Sequence, residues 1–473
     1  MYKKIDEKVI KRLKEILGQN LILDPENMHG YTGDEFADPT IRKRPEVVVK
    51  PKNEKEIAQI LKLANEERIP VTPRGGGTGL CGGCIPLYEG IVLSLENMHK
   101  ILEIDRNNML AFLEAGVTLK DLYQGIENEG LFFPPHPGDE GAQFGGLVST
   151  NASGARAVKY GGIRNYVIGL EVVFPNGAIV TMGGKYIKSS TGYSLINLMI
   201  GSEGTLGVIT KVLIKLLPKA PIIITLIVPY DNLEDALVTV LEVHNQFLPM
   251  AIEFIEDDVI PPTESLLNKK WPCRANVYLL IIIDSTHEDE ALRTCEAIAD
   301  ICLKHNVRST GEIVIADTKE RQKNVLDIRS SIYLALKPRM IEILDIAVPP
   351  AMILKYMEQV REIAKKYNIW LPTYGHAADG NVHTHIMKIG IKKGKLEEKE
   401  NDDWNEKYLG VREELHEIAR KLGGVVSGEH GIGLVKKKYL PLFLDPVQIE
   451  LMKQIKKLFD PQNILNPGKI FDI

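Results

Sequence analysis

The chain has 473 residues, 44% hydrophobic and 26% charged, which are the proportions of an ordinary globular protein. It is too long for one hydrophobic core and predicts two or three domains. A formal net charge of -5 offers no basic surface, which argues against a nucleic acid partner. The N-terminus lacks a signal peptide's apolar segment, and the longest apolar runs, 222–228 and 277–283, are far short of the roughly 20 residues that span a bilayer. We therefore expect a cytoplasmic protein without a transmembrane segment.

The first 220 residues alternate predicted strands and helices. Residues 53–56 have a capping-box pattern and begin a helix with apolar side chains at helical spacing. Further predictions in chain order are a strand at 69–72, strands at 91–95 and 110–114, a helix over 118–130, a hairpin of 167–174 with 178–182, and a strand at 209–217. Residues 134–162 are rich in Gly, Pro, Ser and Asn and fit no amphipathic helix. Such a long irregular stretch is uncommon unless it binds something.

From residue 222 the pattern changes. Strands and helices are predicted at 222–228, 233–247, 251–255, 277–284, 288–305 and 310–315, in the order β-α-β-β-α-β. This order is typical of a ferredoxin-like antiparallel sheet covered by two helices. It then partly repeats, with a helix at 319–336, a strand at 341–348, a helix at 351–367, strands at 369–373 and 382–387, and a helix at 404–422.

Five cysteines are an odd number and too few for a disulfide framework. Cys81 and Cys84 form a C-x-x-C pattern, which occurs in redox dithiols and in metal sites. No second such pair exists, and a strand follows instead of a helix. We therefore interpret both thiols as small packing groups inside a glycine loop.

Three glycine-rich segments precede Pro218. Residues 74–79 (RGGGTG) can place several backbone N–H groups around one anion, and Arg74 adds positive charge, which suits a pyrophosphate. Residues 77–82 spell G-x-G-x-x-G, but no helix follows and no Gly-Lys-Ser/Thr is present, so we reject a Rossmann NAD site and a Walker loop. Residues 134–161 and 201–209 add more glycines beside short polar side chains. Together the segments predict a large dinucleotide held without a Rossmann fold.

Two glycine-flanked segments near the C-terminus carry histidines: 374–383 (YGHAADGNVH) and 427–433 (SGEHGIG). Two imidazoles and a carboxylate are the usual ligands of a catalytic divalent metal with open positions. We expect His383 near the start of the strand predicted at 382–387 and His376 in the turn before it, so that both rings can face one point.

Two alternatives remain open for these segments. His385 lies on the same face of its strand as His383 and is an alternative ligand. His430 would be left over as a base, although Glu429 beside it could merely pair with it.

The order of these motifs, with Asn466-Pro467 after them, resembles the FAD-linked oxidases of the vanillyl-alcohol-oxidase superfamily. The most similar branch contains D-lactate dehydrogenase, the flavin-dependent component of glycolate oxidase, and D-2-hydroxyglutarate dehydrogenase. The resemblance covers the chain from about residue 45 to the C-terminus. It implies an α+β fold: a PCMH-type FAD-binding domain of two α/β subdomains, and a ferredoxin-like antiparallel-sheet cap domain. The implied boundaries are 1–220 for the FAD-binding domain, 221–422 for the substrate-binding cap, and 423–473 for a C-terminal segment that returns to the FAD domain.

The resemblance also implies residue roles. His376, His383 and Glu429 match the family's metal ligands, His430 its catalytic histidine, and Arg329 the arginine that holds the substrate carboxylate. The family's covalent members attach flavin through a histidine where this chain has Gly77, so non-covalent FAD is implied. The cofactor-binding residues would be Pro73, Arg74, Gly75, Gly76, Gly77, Thr78, Gly79, Pro137, Gly138, Gly146, Ser149, Asn151, Gly154, Tyr160, Gly161, Gly204, Val208, Ile209 and Asn466.

The expected reaction is oxidation of a small D-2-hydroxy acid to the 2-oxo acid by hydride transfer to FAD, assisted by zinc, iron or manganese. Relatives specific for hydroxyglutarate have a lysine near Ile343; its absence here favours D-lactate or glycolate, although Arg339 could compensate. An electron-transferring flavoprotein or an iron–sulfur subunit is the expected electron acceptor, and a homodimer is left open. The alternatives are a D-2-hydroxyglutarate dehydrogenase, a non-redox flavin enzyme of the alkyl-dihydroxyacetone-phosphate synthase type, a metal-dependent hydrolase and a docking component of a larger oxidase.

Overall fold

The computed structural model describes residues 2–36, 38–307, 312–392, 395–397 and 399–473. The chain divides into two compact units. Unit 1 contains residues 1–153, 162–219 and 429–473, and unit 2 contains residues 154–161 and 220–428. Part of the strand predicted at 310–315 falls at 310 and 311, outside the described residues.

The helices of the described residues are, in chain order, α1 (Glu7–Leu17), α2 (Glu54–Glu67), α3 (Leu119–Ile126), α4 (Phe144–Thr150), α5 (Ala157–Tyr160), α6 (Leu195–Met199), α7 (Leu233–Gln246), α8 (Ile260–Leu267), α9 (Glu288–Lys304), α10 (Lys319–Ser330), α11 (Ile332–Leu336), α12 (Ile353–Tyr367), α13 (Trp404–Lys421), α14 (Leu440–Phe443) and α15 (Pro446–Phe459). Helix α2 begins after the predicted cap Asn53, whose side chain accepts hydrogen bonds from the N–H groups of Lys55 and Glu56. The Glu56 carboxylate accepts from the Lys52 N–H and from Asn53 Nδ2, which differs from the reciprocal bond of a capping box.

The strands are, in chain order, β1 (Leu21–Ile22), β2 (Val47–Val49), β3 (Val71–Arg74), β4 (Ile91–Ser94), β5 (Ile101–Asp105), β6 (Leu110–Glu114), β7 (Leu131–Phe132), β8 (Val167–Val173), β9 (Ile179–Gly183), β10 (Val208–Lys215), β11 (Leu217–Pro218), β12 (Ile222–Tyr230), β13 (Ala251–Glu256), β14 (Val277–Ser285), β15 (Val314–Ala316), β16 (Met340–Ala347), β17 (Thr373–His376), β18 (Asn381–Met387), β19 (Ile391–Lys392) and β20 (Lys395–Leu396).

Unit 1 contains two main sheets. The first has the order β1-β2-β4-β3, in which β4 pairs in parallel with β2 and with β3. The second has the order β5-β6-β10-β8-β9 and is antiparallel throughout. Buried side chains of α1 and α2 pack with those of the first sheet into one core that also contains Ile464 and Leu465. The C-terminal segment is thereby fixed beside β3, where the Val71 N–H donates to the carbonyl of Ile464 at 2.7 Å.

Unit 2 is built on one seven-stranded antiparallel sheet with the order β15-β12-β14-β13-β17-β18-β16. Its first four strands have the ferredoxin-like order 4-1-3-2 when β12 to β15 are counted from one to four, and α7 and α9 pack on them. Strands β17, β18 and β16 extend the same sheet. The ferredoxin-like prediction for this region is confirmed.

The structure differs from the sequence predictions at two places that bear on function. The strand predicted at 369–373 is instead Thr373–His376, so His376 ends a strand and does not lie in the turn. Pro372 has no N–H to donate, and the regular ladder begins only after it. Within residues 134–162, where no helix was expected, the structure has the short helices α4 and α5.

Candidate active site

The first glycine-rich segment, residues 74–79, forms the loop that follows β3 in unit 1. Gly77 has a φ of +73°, and a Cβ on it would lie 2.0 Å from Arg74 Nη2. Nη1 of Arg74 donates to the carbonyl of Gly33 at 2.5 Å and to Cys84 Sγ at 3.0 Å. The loop therefore closes around its own arginine, and only glycine fits at position 77. Arg74 supports the loop from inside; its contact with a pyrophosphate stays a prediction.

The parts of the three glycine-rich segments that belong to unit 1 converge. A Cβ on Gly75 would lie 3.5 Å from Gln143 Oε1 and 3.7 Å from the Gly146 nitrogen. The Glu203 N–H donates to the Ser149 carbonyl at 2.8 Å, which joins the second segment to the third. The third segment also contacts the first, because a Cβ on Gly204 would lie 3.3 Å from the Pro73 ring. Segments up to 130 residues apart in sequence thus form one cradle of closely packed backbone.

The cradle contains buried polar atoms that a ligand would satisfy. Among the described residues, Gln143 Oε1 and Asn466 Oδ1 are shielded from water and have no hydrogen-bond partner. Asn466 is fixed by its other amide atom, because Nδ2 donates to the carbonyls of Gly83 at 2.9 Å and Glu203 at 2.8 Å. A buried acceptor without a donor costs roughly 1–3 kcal/mol. These atoms and the surrounding glycines fit a large polar dinucleotide.

The remaining predicted cofactor residues are distributed over both units. Thr78, Gly79, Pro137, Gly138, Asn151, Val208 and Ile209 belong to unit 1, whereas Gly154, Tyr160 and Gly161 belong to unit 2. In unit 2 the hydroxyl of Tyr160 donates to the Asp284 carboxylate, to which Lys159 Nζ also donates at 2.7 Å. The contact of all these residues with a cofactor stays a prediction.

The cysteine pair lies beside the same loop. Both are free thiols, and Cys81 Sγ donates to the carbonyl of Gly431 at 3.2 Å. Burial, with the charge of Asp34, raises the pKa of the Cys84 thiol to about 11. Because the thiolate is the reactive form, a raised pKa disfavours reaction of Cys84 at neutral pH. The geometry agrees with the packing interpretation.

The two histidines of the 374–383 segment meet in unit 2. Strands β17 and β18 form a hairpin in which Tyr374 pairs with His383 and His376 with Asn381, so these four side chains share one face. The turn requires Gly380, which has a φ of +86° and whose Cβ would lie 1.9 Å from the Val348 carbonyl. Both histidines are buried, and their Nε2 atoms are 3.3 Å apart.

That separation fits a shared metal ion. Two nitrogens bound tetrahedrally to one ion at about 2.05 Å would lie about 3.3 Å apart. His385 is on the same face, and the rings of His385 and His383 both pack on Tyr374, with centroids 5.1 and 5.5 Å from that of the tyrosine. His383 is the better partner of His376 because its Nε2 approaches Nε2 of His376 at 3.3 Å.

A buried carboxylate on the neighbouring strand joins this pair to the predicted substrate arginine. Glu253 lies on β13 directly opposite His376 on β17. Oε1 of Glu253 accepts from His376 Nδ1, and Oε2 accepts from Arg329 Nε at 2.5 Å. Arg329 also lies over the Tyr374 ring, with Cζ 4.4 Å from the ring centroid. Burial raises the pKa of the Glu253 carboxyl, but Arg329 and His376 outweigh this effect and lower it to about 2.

A second buried carboxylate fixes the chain just before Glu429. Asp345 on β16 lies opposite His383, and accepts hydrogen bonds from Asn381 Nδ2 at 2.8 Å and Ser427 Oγ at 2.7 Å. The Gly428 N–H donates to the Asp345 carbonyl at 3.1 Å. A Cβ on Gly428 would lie 2.3 Å from Asn381 Nδ2, so a side chain would break this arrangement. Unit 2 ends at this anchored glycine.

Unit 1 holds the same segment at its other end. The Glu203 carboxylate accepts the N–H groups of Ile432 and Gly433, both at 2.7 Å. The Cys81 carbonyl accepts from Leu434 at 2.9 Å. Three residues, 429–431, therefore separate two fixed points of the chain. Glu429 and His430 belong to unit 1 and His376 and His383 to unit 2, so their membership of one site stays a prediction.

Three residues of these contacts, Glu253, Glu203 and Gln143, are not predicted as functional from the sequence. Glu253 had a visible signal, because a glutamate in the apolar run of residues 251–255 is costly to bury without a partner. Glu203 lies in the glycine-rich segment 201–209, where the prediction depends on the glycines and short polar side chains. Gln143 gave no signal, because only the folded chain brings it to Gly75.

Among the described residues we find no helix with the length and hydropathy that a membrane span requires. Residues 45–183 match a family described as FAD binding domain, and residues 221–470 match FAD linked oxidases, C-terminal domain.

The comparisons with individual proteins agree with these matches. The chain is 47% identical to a D-lactate dehydrogenase of Archaeoglobus fulgidus, over 90% of this chain and 91% of that protein. It is 38% identical to glycolate oxidase subunit GlcD of Bacillus subtilis, over 98% of this chain and 97% of that one. The solved structure of p-cresol methylhydroxylase with substrate bound covers 100% of this chain and 99% of its own, at a TM-score of 0.80 and 17% identity. At this level of identity, the structural similarity to p-cresol methylhydroxylase shows only that the fold is shared.

Proposed function

The chain belongs to the family of FAD-linked oxidases and is an FAD-linked oxidoreductase, and we propose that it oxidises a small 2-hydroxy monocarboxylic acid, D-lactate or glycolate, to the 2-oxo acid. The observation that carries this proposal is the joint placement of Arg329, His376 and His383 on one buried face of unit 2. Arg329 supplies a cation for the substrate carboxylate, and the two histidines supply nitrogen donors for a metal ion that would bind the substrate oxygens.

We propose that the converging segments of unit 1 hold FAD non-covalently. Residues 74–79 would enclose its pyrophosphate, and Gln143 and Asn466 would receive hydrogen bonds from its polar groups. FAD, when bound, accepts the α-hydrogen of the substrate as a hydride, so that the alcohol becomes a ketone. The protein's own contribution is to place substrate and cofactor in reacting geometry.

We propose that His376, His383 and Glu429 hold a divalent metal, which is zinc, iron or manganese. A divalent ion acts as a Lewis acid that makes the substrate hydroxyl group more acidic. The Nε2 separation of the two histidines and the anchoring of the chain at Gly428, next to Glu429, support this set. His385 would then be a packing residue.

Arg329 and His430 carry the remaining steps. Nε and Nη2 of Arg329 contact Glu253, and we propose that the same guanidinium holds the substrate carboxylate. His430 accepts the proton of the substrate's hydroxyl oxygen, which imidazole does well because it titrates near neutral pH. Loss of this proton and of the hydride balances the oxidation: two electrons and two hydrogens leave, and C=O forms.

The surroundings of Ile343 favour a short substrate. Ile343 is buried on β16 opposite His385, where dicarboxylate-specific relatives would have a lysine. Arg339 lies just before the start of β16, four residues from Ile343, which corresponds to about 13 Å at strand spacing. Its Nη1 donates to the Glu397 carbonyl at 3.5 Å. It is badly placed to neutralise a second carboxylate near Ile343. This supports lactate or glycolate over 2-hydroxyglutarate.

Reduced FAD must be reoxidised, and we propose an electron-transferring flavoprotein or an iron–sulfur protein in the cytoplasm as acceptor. A homodimer remains a prediction of the sequence. Turnover that is fast with the flavoprotein and slow with oxygen alone would support a protein acceptor; equal rates with oxygen would identify an oxidase.

An anaerobic titration tests the proposed substrate. Purified holoenzyme receives D-lactate, glycolate and D-2-hydroxyglutarate in separate experiments, and the visible flavin absorbance is followed. We expect D-lactate or glycolate to reduce the flavin at the lowest concentration. Preferential reduction by D-2-hydroxyglutarate would reassign the substrate. A flavin that no hydroxy acid reduces would favour the non-redox alkyl transfer, and a protein that purifies without FAD would favour the hydrolase.

A further inference from the structure

Glu253 is a buried charged residue for which the proposed reaction has no direct use. It lies in the middle of β13, is 1% exposed, and is surrounded by the apolar residues of its own strand. Removing a carboxylate from water costs several kcal/mol unless close partners compensate. The residues that contact Glu253 therefore indicate its role.

Each carboxylate oxygen of Glu253 has a partner in the proposed site. Oε1 accepts from Nδ1 of His376, and Oε2 accepts from Nε and Nη2 of Arg329. One side chain thus contacts both a proposed metal ligand and the proposed substrate anchor. The two partners come from distant parts of the sequence, β17 and the last turn of α10.

The contact with His376 selects which ring nitrogen can bind an ion. A carboxylate at Nδ1 keeps the proton there, and this leaves the lone pair on Nε2. Nε2 is the atom that approaches His383 Nε2 at 3.3 Å. The contact with Arg329 fixes the position of the guanidinium, whose Cζ lies 4.4 Å from the centroid of the Tyr374 ring.

We infer that Glu253 is the positioning residue of the site, and that its carboxylate orients the metal ligand His376 and the substrate anchor Arg329 together. This inference rests on the proposed function, since it takes His376 as a metal ligand. It adds a residue that acts through the others without touching substrate.

The competing explanation is a purely structural ion pair between β13 and α10. The chain offers a matched control on the same strand, where Glu256 pairs with Arg361 at 2.7 Å. Arg361 is half exposed, with a side-chain exposure of 49%, and neither residue contacts the histidines in any described hydrogen bond or ion pair. Glu256→Gln removes a carboxylate from an arginine and from β13 without disturbing the proposed site.

The test measures the dissociation constant of Zn²⁺ in FAD-loaded wild type, Glu253→Gln and Glu256→Gln, by competition with a chelating dye. Melting temperature and FAD content are recorded for each. We expect Glu253→Gln to weaken Zn²⁺ binding about 10–100-fold, as loss of a carboxylate behind a ligating histidine does. The Zn²⁺ dissociation constant of Glu256→Gln should stay within about twofold of the wild-type value. Flavin reduction at saturating Zn²⁺ should also slow in Glu253→Gln and not in Glu256→Gln.

A Glu253→Gln variant with a lower melting temperature but wild-type Zn²⁺ affinity would overturn the inference and leave a structural ion pair. If this variant does not fold, Glu253→Asp replaces it, because the charge remains but the shorter side chain cannot reach both partners. Wild-type affinity in that variant would be equally contradictory. A wild type that binds neither Zn²⁺ nor Mn²⁺ would overturn the inference and the metal part of the proposed function, while flavin reduction by D-lactate would still test the oxidation independently.

Discussion

Glu203 accepts a hydrogen bond from the backbone N–H of Gly433 at 2.7 Å, although the two residues are 230 positions apart. The same carboxylate accepts from Ile432 at 2.7 Å. Burial raises the pKa of the Glu203 carboxyl, while these two N–H groups act in the opposite direction. The glycine-rich segment around Glu203 therefore fixes the chain from Ile432, two residues after His430.

Glu203→Gln should slow flavin reduction and destabilise the protein. The amide presents an NH₂ group to one of the two N–H donors, so one buried donor loses its acceptor at roughly 1–3 kcal/mol. The chain after His430 should loosen, and the reduction rate constant should fall while bound FAD is retained. Stopped-flow reduction and chemical unfolding measure both effects. Glu127→Gln changes an exposed carboxylate of the same unit and should alter neither; unchanged kinetics in Glu203→Gln would refute the anchoring role.

His383→Ala should lose bound metal and most turnover while keeping FAD. Its Nε2 is one of the two donors that lie 3.3 Å apart. His385→Ala is the matched control, because His385 lies two residues further on the same strand and face, and it should keep its metal. Elemental analysis of both variants decides between the two histidines. Metal loss in His385→Ala with retention in His383→Ala would reverse the assignment.

Gly76→Val should give a colourless protein. A Cβ on Gly76 would already lie 3.0 Å from the Gly141 carbonyl, and valine adds two further carbons where the loop must meet the cofactor. Gly83→Val is the control, since a Cβ there would meet no atom within 4 Å. Absorbance of the purified proteins measures FAD content. Stoichiometric FAD in Gly76→Val would show that the cofactor lies elsewhere.

Part of this architecture could be predicted from sequence, because it depends on local patterns. The strand and helix alternation over 222–315 predicts the ferredoxin-like order, and the glycine runs predict the loops that converge in unit 1. The apolar residues 369–371 predict a strand that begins too early. Pro372 has no N–H to donate, so the regular strand starts at Thr373, although Trp370 and Pro372 still form backbone hydrogen bonds with residues 385–389. Strand propensity alone does not place the residue at which regular pairing begins.

Long-range partners could not be predicted in the same way. Glu253 meets Arg329 and His376 only after three separate elements have assembled in unit 2. Gln143 meets Gly75 only when α4 packs on the first loop. The sequence could indicate that a buried glutamate needs a partner, but not which residue would supply it.

Glu256 predicts a pH-dependent effect on stability. Burial, together with the charge of Asp258, raises the pKa of the Glu256 carboxyl to about 7, against 4.5 in the unfolded chain. Between these values the unfolded state loses its proton first, so stability falls as pH rises toward 7. Glutamine does not titrate, so Glu256→Gln avoids this loss of stability. Its melting temperature should exceed that of wild type by more at pH 8 than at pH 5. An equal difference at both pH values would show that Glu256 is ionised normally.

His430→Asn and Arg329→Ala should fail in different ways. Asparagine keeps a hydrogen bond but takes no proton, so reduction should slow by about 10²–10⁴-fold with substrate affinity little changed. Arg329→Ala should also weaken substrate binding, since affinity and orientation are lost together. The wild-type rate should rise with pH through one ionisation that His430→Asn abolishes and Arg329→Ala retains. An ionisation that survives in His430→Asn would identify another base.

The central claim, oxidation of a 2-hydroxy acid by FAD on this chain, is tested most directly by anaerobic mixing of the holoenzyme with excess D-lactate or glycolate. Flavin absorbance and the 2-oxo acid formed are measured in the same sample. We predict complete reduction of the flavin and one molecule of 2-oxo acid for each FAD. FAD that stays oxidised with both acids, in a protein containing stoichiometric FAD and metal, would contradict the account.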